Sequence, residues 1–344
     1  MAQSPDASPG FPVTVLTGFL GSGKTTLLKE YLANAANRDT AVIINEFGEV
    51  GLDHHLVEAI SDDMVVLSGG CICCSINGDL PATLQRLRES AQAGRIPPFK
   101  RVLIETTGLA DPAPVIQGLL LDPQTARLFR FDQLVSTVDA TQIEQQLARH
   151  PETEQQLMLA DVLLLTKADC ITEAEKARLV HELAALQPNA PLLCKQDGAT
   201  LADALAIRTA EGEPHSVAAT RAATWARRLS GSYCTDPNCG DERHGHFAHG
   251  RRYRSTQFSF DRPLSWEEVS DWIASLCFFH GERILRMKGI LQLQDETRPV
   301  VIHGVHRTLY PAETLASWNG LPRRSSIVFI TEQLDASLLA PPFG

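Results

Sequence analysis

Gly18-Phe-Leu-Gly21-Ser-Gly23-Lys24-Thr25-Thr26 decides how the rest of the chain is read. It fits G-x-x-x-x-G-K-[ST] at every position, between an apolar run at 12–17 and a helical pattern at 24–36. A strand before and a helix after are the context this loop requires. Gly18, Gly21 and Gly23 let backbone N–H groups curl round phosphate oxygens, and the helix N-terminus adds partial positive charge. Ser22 and Thr26 complete the cradle, Lys24 reaches the β- and γ-phosphates, and Thr25 offers its hydroxyl to Mg²⁺.

Outward from this loop, short runs rich in Val, Ile and Leu recur at 40–45, 64–68, 101–105, 133–138, 161–166 and 191–194. Helical patterns at 79–94, 112–121, 141–150 and 173–186 lie between them. Uniformly apolar strands covered on both faces, alternating with helices, predict an α/β fold: a P-loop NTPase with a mostly parallel sheet over 11–210. Residues 1–10 read as a disordered lead-in. Residues 211–252 are polar, lack periodicity and read as a linker. Strand patterns at 253–260, 282–293, 298–306 and 326–331, with a helix at 264–276 opened by a Ser265…Glu268 capping box, predict a smaller α+β domain over 253–344.

Glu105-Thr-Thr-Gly108 ends one of the buried runs. In P-loop enzymes an acid at this place organises the Mg²⁺ shell; Glu rather than Asp favours contact through water. Gly108 follows as a second phosphate-side glycine. Thr166-Lys167-Ala-Asp169 ends another run. A carboxylate at Asp169 accepts two hydrogens from guanine and rejects adenine, while Lys167 lies along the base plane. The usual GTPase pattern has Asn where Thr166 stands, so GTP is favoured over ATP on Asp169 rather than on a complete motif.

Gly70-Cys71-Ile-Cys73-Cys74 puts three thiols in four residues. Read as a loop following the strand at 64–68, it falls on the same sheet edge as the phosphate loop. Thiolates suit Zn²⁺, Co²⁺ or Cu⁺ rather than Mg²⁺. Buried small apolar side chains and a redox pair are the competing readings. Cys234, Cys239, His244, His246 and His249 form a second cluster within the linker, either an ordered site or a flexible metal-gathering arm. His303 and His306, three apart in an expected strand, face opposite ways and are read as structural or partner-contacting rather than as ligands. Trp266 and Trp272 are read as packing residues, and Cys170, Cys194 and Cys277 as core fillers.

Composition sets the limits. At 344 residues with net charge −10, the chain lacks the basic stripe of a nucleic-acid binder. No run reaches the length needed to span a bilayer, and no secretory signal opens the chain. A cytoplasmic location follows, where eight cysteines are thiols.

In order and spacing, Gly18–Thr26, the stretch Asn45-Glu46-Phe-Gly48-Glu49-Val-Gly51-Leu-Asp53, the C-x-C-C core, Glu105–Pro112 and Thr166–Asp169 resemble the CobW-like GTPases. Arg286-Met-Lys288-Gly289, His303-Gly-Val-His306 and the run at 324–330 resemble that family's second domain. The resemblance implies a GTP-gated metallochaperone that uses Mg²⁺ with GTP and carries Zn²⁺ or Co²⁺ to a client metalloprotein. It implies that 45–53 is a mobile switch, with Glu46, Glu49 and Asp53 as contacts to Mg²⁺, cargo or attacking water. Pairing of two copies in a nucleotide-dependent way is a further expectation. An ATP-dependent small-molecule kinase and a non-catalytic metal buffer are the alternatives.

Overall fold

The computed structural model describes residues 10–45, 57–61, 64–67, 72–75, 80–209, 253–315, 317–318 and 322–343, with backbone course alone at 45, 57–61, 64–67, 72–75 and 208–209. Nearly all of the expected lead-in, the linker, and Glu46, Glu49, Asp53, Cys71, Cys234, Cys239, His244, His246 and His249 lie outside them. The first elements are β1 (Phe11–Gly18), α1 (Lys24–Ala33), β2 (Thr40–Asn45), β3 (Val57–Ser61), β4 (Met64–Leu67), β5 (Ile72–Ser75), α2 (Leu80–Gln92) and β6 (Arg101–Thr106). Then come α3 (Ala113–Leu121), α4 (Pro123–Leu128), β7 (Phe129–Asp139), α5 (Ile143–Arg149), α6 (Pro151–Leu159), β8 (Val162–Thr166), α7 (Glu173–Leu186), β9 (Leu192–Cys194) and α8 (Leu201–Thr209).

Two compact units divide the chain, the first comprising Met1–Gln156, Val162–Ala168 and Leu193–Leu205. Its sheet runs β3-β4-β5-β2-β6-β1-β7-β8-β9. The pairs β5–β2, β2–β6, β6–β1, β1–β7 and β7–β8 are parallel, whereas β3–β4 and β4–β5 are antiparallel. The central strands are buried along almost their whole length: Val13, Val15, Ile43, Val102, Ile104, Leu134, Val135, Val162 and Leu164 have no exposed surface. Apolar residues at successive positions leave no polar face, so helices cover both sides. Because neighbouring strands are parallel, their C-terminal ends gather at one edge, where the phosphate loop, Glu105 and Thr166 emerge.

The second unit comprises Leu157–Asp161, Asp169–Leu192 and Ala206–Gly344. It contains β10 (Tyr253–Phe260), α9 (Trp266–His280), β11 (Ile284–Leu291), β12 (Val300–Val305), β13 (Thr308–Leu309), β14 (Glu313–Thr314) and β15 (Ser325–Glu332). The sheet runs β10-β15-β11-β12-β13, with β14 on β12, and these pairings are antiparallel. Helix α9 opens with the expected Ser265–Glu268 capping box and buries Trp272 against Phe329, ring centroids 5.5 Å apart. Arg286 and Lys288 on β11 both donate to Asp161 Oδ1, at 2.6 and 2.7 Å, so this motif pair serves packing inside the unit.

Four expectations need correction. Ile72–Ser75 is a strand of the sheet, not a loop, because β4 turns back antiparallel and β5 resumes the parallel direction. His306 sits in the turn after β12 with φ 51°, so the two-faced strand argument applies to His303 alone. Cys170 is exposed, at the end of the short turn Ala168–Cys170. Trp266, in the first turn of α9, is half exposed (49%) and packs only in part. Helices α4, α6 and α8 and strand β3 carried too few periodic residues to be read from sequence.

Candidate functional site

The phosphate loop is built by three left-handed glycines. Strand β1 ends on Gly18 (φ 136°), Gly21 follows (φ 73°), and Gly23 (φ 92°) opens α1. A Cβ at Gly18 would lie 2.1 Å from Thr137 Oγ1, so β7 presses directly on the loop. Ser22 Oγ and Thr137 Oγ1 are 2.6 Å apart, and Thr137 donates on to the Thr17 carbonyl. Lys24 is buried, its ammonium donating to the carbonyls of Gly18 (2.8 Å) and Phe19 (3.1 Å). The first turn of α1 carries no acid, which leaves the helix N-terminus electropositive.

Across the sheet, Leu16 pairs in register with Glu105. This brings Thr25 Oγ1 to Glu105 Oε1 at 2.6 Å, a hydroxyl–carboxylate pair with the acid 3% exposed. Beyond β6, a Cβ at Gly108 would meet the Leu20 backbone N at 2.5 Å, so the loop after β6 lies against the phosphate loop. Gln156 of α6, 1% exposed, holds that loop by donating to the carbonyls of Gly108 (3.1 Å) and Ala110 (3.0 Å). The set fits a Mg²⁺–nucleotide: a backbone cradle that a Cβ at Gly18 would destroy, an ammonium held inside it, and a hydroxyl beside a buried carboxylate.

At the end of β8, the Thr166 hydroxyl lies 2.9 Å from the Ser22 carbonyl and 3.1 Å from that of Val138. It ties the phosphate loop to β7 and β8. Lys167 adopts φ 54° and its ammonium bonds Asp139 Oδ2 at 2.6 Å. Asp139, the last residue of β7 and 2% exposed, also accepts from Thr141 N and Oγ1. Burial opposes its ionisation, but the Lys167 ammonium and the Thr141 donors outweigh that, and its carboxyl titrates below the ordinary range. Asp169 is exposed in the short turn Ala168–Cys170.

Strand β5 sets the level of the cysteines. Ser75 pairs with Ile44, which pairs with Glu105, so Ser75 is level with Glu105 two strands away. Cys74 and Cys73 follow one and two steps below, opposite Ile43 and Val42.

Residues 12–194 match the family described as CobW/HypB/UreG, nucleotide-binding domain, and residues 253–343 match the cobalamin synthesis protein cobW C-terminal domain. The chain belongs to the CobW/HypB/UreG family. It is 32% identical over 335 residues to the zinc chaperone YjiA of Escherichia coli, covering 96% of this chain and 97% of that protein. It is 33% identical over 210 residues to the zinc chaperone CobW of Pseudomonas aeruginosa, 52% of this chain and 54% of the other. The solved structure of Zn(II)-bound YjiA GTPase from E. coli superposes with a TM-score of 0.68 at 29% identity, covering 96% and 97% of the two chains.

Within this CobW-type domain, the sequence-predicted residues Gly18, Gly21, Ser22, Gly23, Lys24, Thr25 and Glu105 come together, and Thr166 joins them through Ser22. Thr26 is the third residue of α1, in the first turn that they open. Asp139, Thr137 and Gln156 escaped the sequence reading. A signal existed for Asp139, since it is an acid ending a buried strand, the same feature that singled out Glu105. None existed for Gln156, a buried amide on a helix whose partners lie 46 and 48 residues away.

Proposed function

We propose that this chain is a GTPase that binds zinc and hands it to a client metalloprotein, with nucleotide state governing the grip on the metal. What carries the reading is the whole-chain likeness, over both units, to a zinc chaperone. The loop geometry supports it: N–H groups of 18–26 and the Lys24 ammonium hold the phosphates, and Thr25 with Glu105 holds Mg²⁺. An ion held there would supply positive charge to offset the negative charge of the phosphates. Gly108, held against the phosphate loop, offers its N–H on the γ side. Lys167 lies along the base, and Asp169 reads the guanine edge.

Zinc is cargo rather than a resident cofactor, and Cys71, Cys73 and Cys74 are its ligands, on and just before the strand whose last residue, Ser75, is level with Glu105. Glu46 and Glu49 contact the cargo or the attacking water. Cys234, Cys239, His244, His246 and His249 gather metal from solution. Metal affinity and nucleotide state must then be reciprocally coupled.

A Zn²⁺ and Co²⁺ competition titration of the reduced full chain with Mg²⁺ and no nucleotide, GDP or a non-hydrolysable GTP analogue tests this. Tighter metal binding with the GTP analogue, abolished by Cys73→Ala with Cys74→Ala, is expected. Equal affinity in every state would leave a metal buffer, and hydrolysis of ATP in preference to GTP would point to a small-molecule kinase.

A further inference from the structure

We propose that Asp139 is a positioning residue that determines base specificity, acting through Lys167. This rests on the GTPase reading above and adds a residue to it. Lys167 cannot hold itself in place: its side chain is 43% exposed and its backbone is in the left-handed region, which a lysine adopts only under constraint. A long flexible ammonium of this kind samples many rotamers in water. Asp139 removes that freedom. It is itself locked, since Thr141 N (2.9 Å) and Thr141 Oγ1 (2.7 Å) both bond its Oδ1, leaving Oδ2 for the Lys167 ammonium at 2.6 Å. The backbone locks the same corner, with Asp139 in register with Thr166 and Ala140 N donating to the Thr166 carbonyl at 3.0 Å.

Thr166 raises the importance of this pair. Its hydroxyl is committed to the Ser22 and Val138 carbonyls, so it has no amide to present to a base, as an Asn there would. Recognition then depends more heavily on the lysine stem, laid flat by its ion pair. A platform fixed this way selects by shape and orientation and is indifferent to how many phosphates follow.

The test measures dissociation constants of GDP, a non-hydrolysable GTP analogue and a non-hydrolysable ATP analogue for the full chain and for Asp139→Asn, Lys167→Met and the double variant. Asp139→Asn keeps the Oδ1 acceptor and presents a donor to the ammonium. Both guanine nucleotides should weaken by roughly tenfold or more, as for loss of a bond to a charged group. The guanine-to-adenine ratio should shrink, and the ratio of GTP analogue to GDP should stay constant. In the Lys167→Met background the same substitution should cost nothing further, which a merely structural role would not produce. Additive losses, or an unchanged guanine-to-adenine ratio in a wild type that prefers guanine, overturn the proposal. A wild type that prefers adenine overturns the GTPase reading instead. Should Asp139→Asn fail to fold, Thr141→Val at an exposed position removes one bond that aims the carboxylate; a severalfold loss with the same ratios is expected, and no loss counts against the proposal.

Discussion

The phosphate end and the base end of the same sheet edge are held in opposite ways. At the phosphate end, contacts are buried and redundant: three left-handed glycines, Ser22 against Thr137, Lys24 on two carbonyls, Thr25 on Glu105. At the base end one ion pair, half open to water, holds Lys167. A phosphate chain is the same in every nucleotide, so a rigid cradle costs nothing in selectivity. A base has to be distinguished, and the groups proposed to read it stand at strand ends where they can be adjusted.

Breaking the phosphate end should have the largest effect. Gly18→Ala would place a Cβ 2.1 Å from Thr137 Oγ1 and 2.5 Å from the Thr137 carbonyl, at φ 136°. Overpacking and backbone strain together cost about 3–5 kcal/mol, and a thermal melt should fall by roughly 10 °C. An unchanged melting temperature would mean that β7 does not press on the loop.

Glu105→Gln comes next and separates binding from turnover. The amide keeps an acceptor for Thr25 but loses the charge proposed to help hold Mg²⁺, so single-turnover hydrolysis should slow by roughly a hundredfold or more. GDP affinity without Mg²⁺ should hold. If turnover stayed within a few fold of wild type, another acid would have to be organising the metal.

Thr166→Val tests the seam between the two ends. It removes the donor near two buried carbonyls while keeping shape, and should cost about 1–3 kcal/mol in denaturant unfolding. Nucleotide affinity should fall for guanine and adenine alike, because this hydroxyl supports the loop and reads no base. A change in the guanine-to-adenine ratio would move Thr166 into the base-reading group.

The same contrast explains what could be read beforehand. The phosphate loop was legible because its nine residues are contiguous and each has a fixed task. Strands such as Val162–Thr166 were legible because burial on both faces requires unbroken apolar runs. Strand β5 was not, since four residues after two glycines carry no period, and a run of cysteines draws attention to chemistry before backbone. Asp139 was hidden because its partner is 28 residues away, and only the parallel pairing of β7 with β8 brings Lys167 to it. Cross-strand neighbours are a property of register, which a single sequence does not spell out.

The smallest expected effect concerns pH and applies to the base end alone. Asp139 is opposed in ionising by its burial, yet Lys167 and Thr141 lower its carboxyl below the ordinary value of about 3.9. A carboxyl depressed on folding contributes stability that is fully present above the unfolded value. That contribution is lost only as pH falls through the lower, folded value. From pH 5 to 8 the guanine-to-adenine affinity ratio should therefore be flat, with a decline confined to acid below about pH 4. Competition binding across that range checks it, and a step near neutrality would assign the lock on Lys167 to a group other than Asp139. Asp139→Asn should shrink the acid decline, and the part that disappears is the part this carboxylate carries.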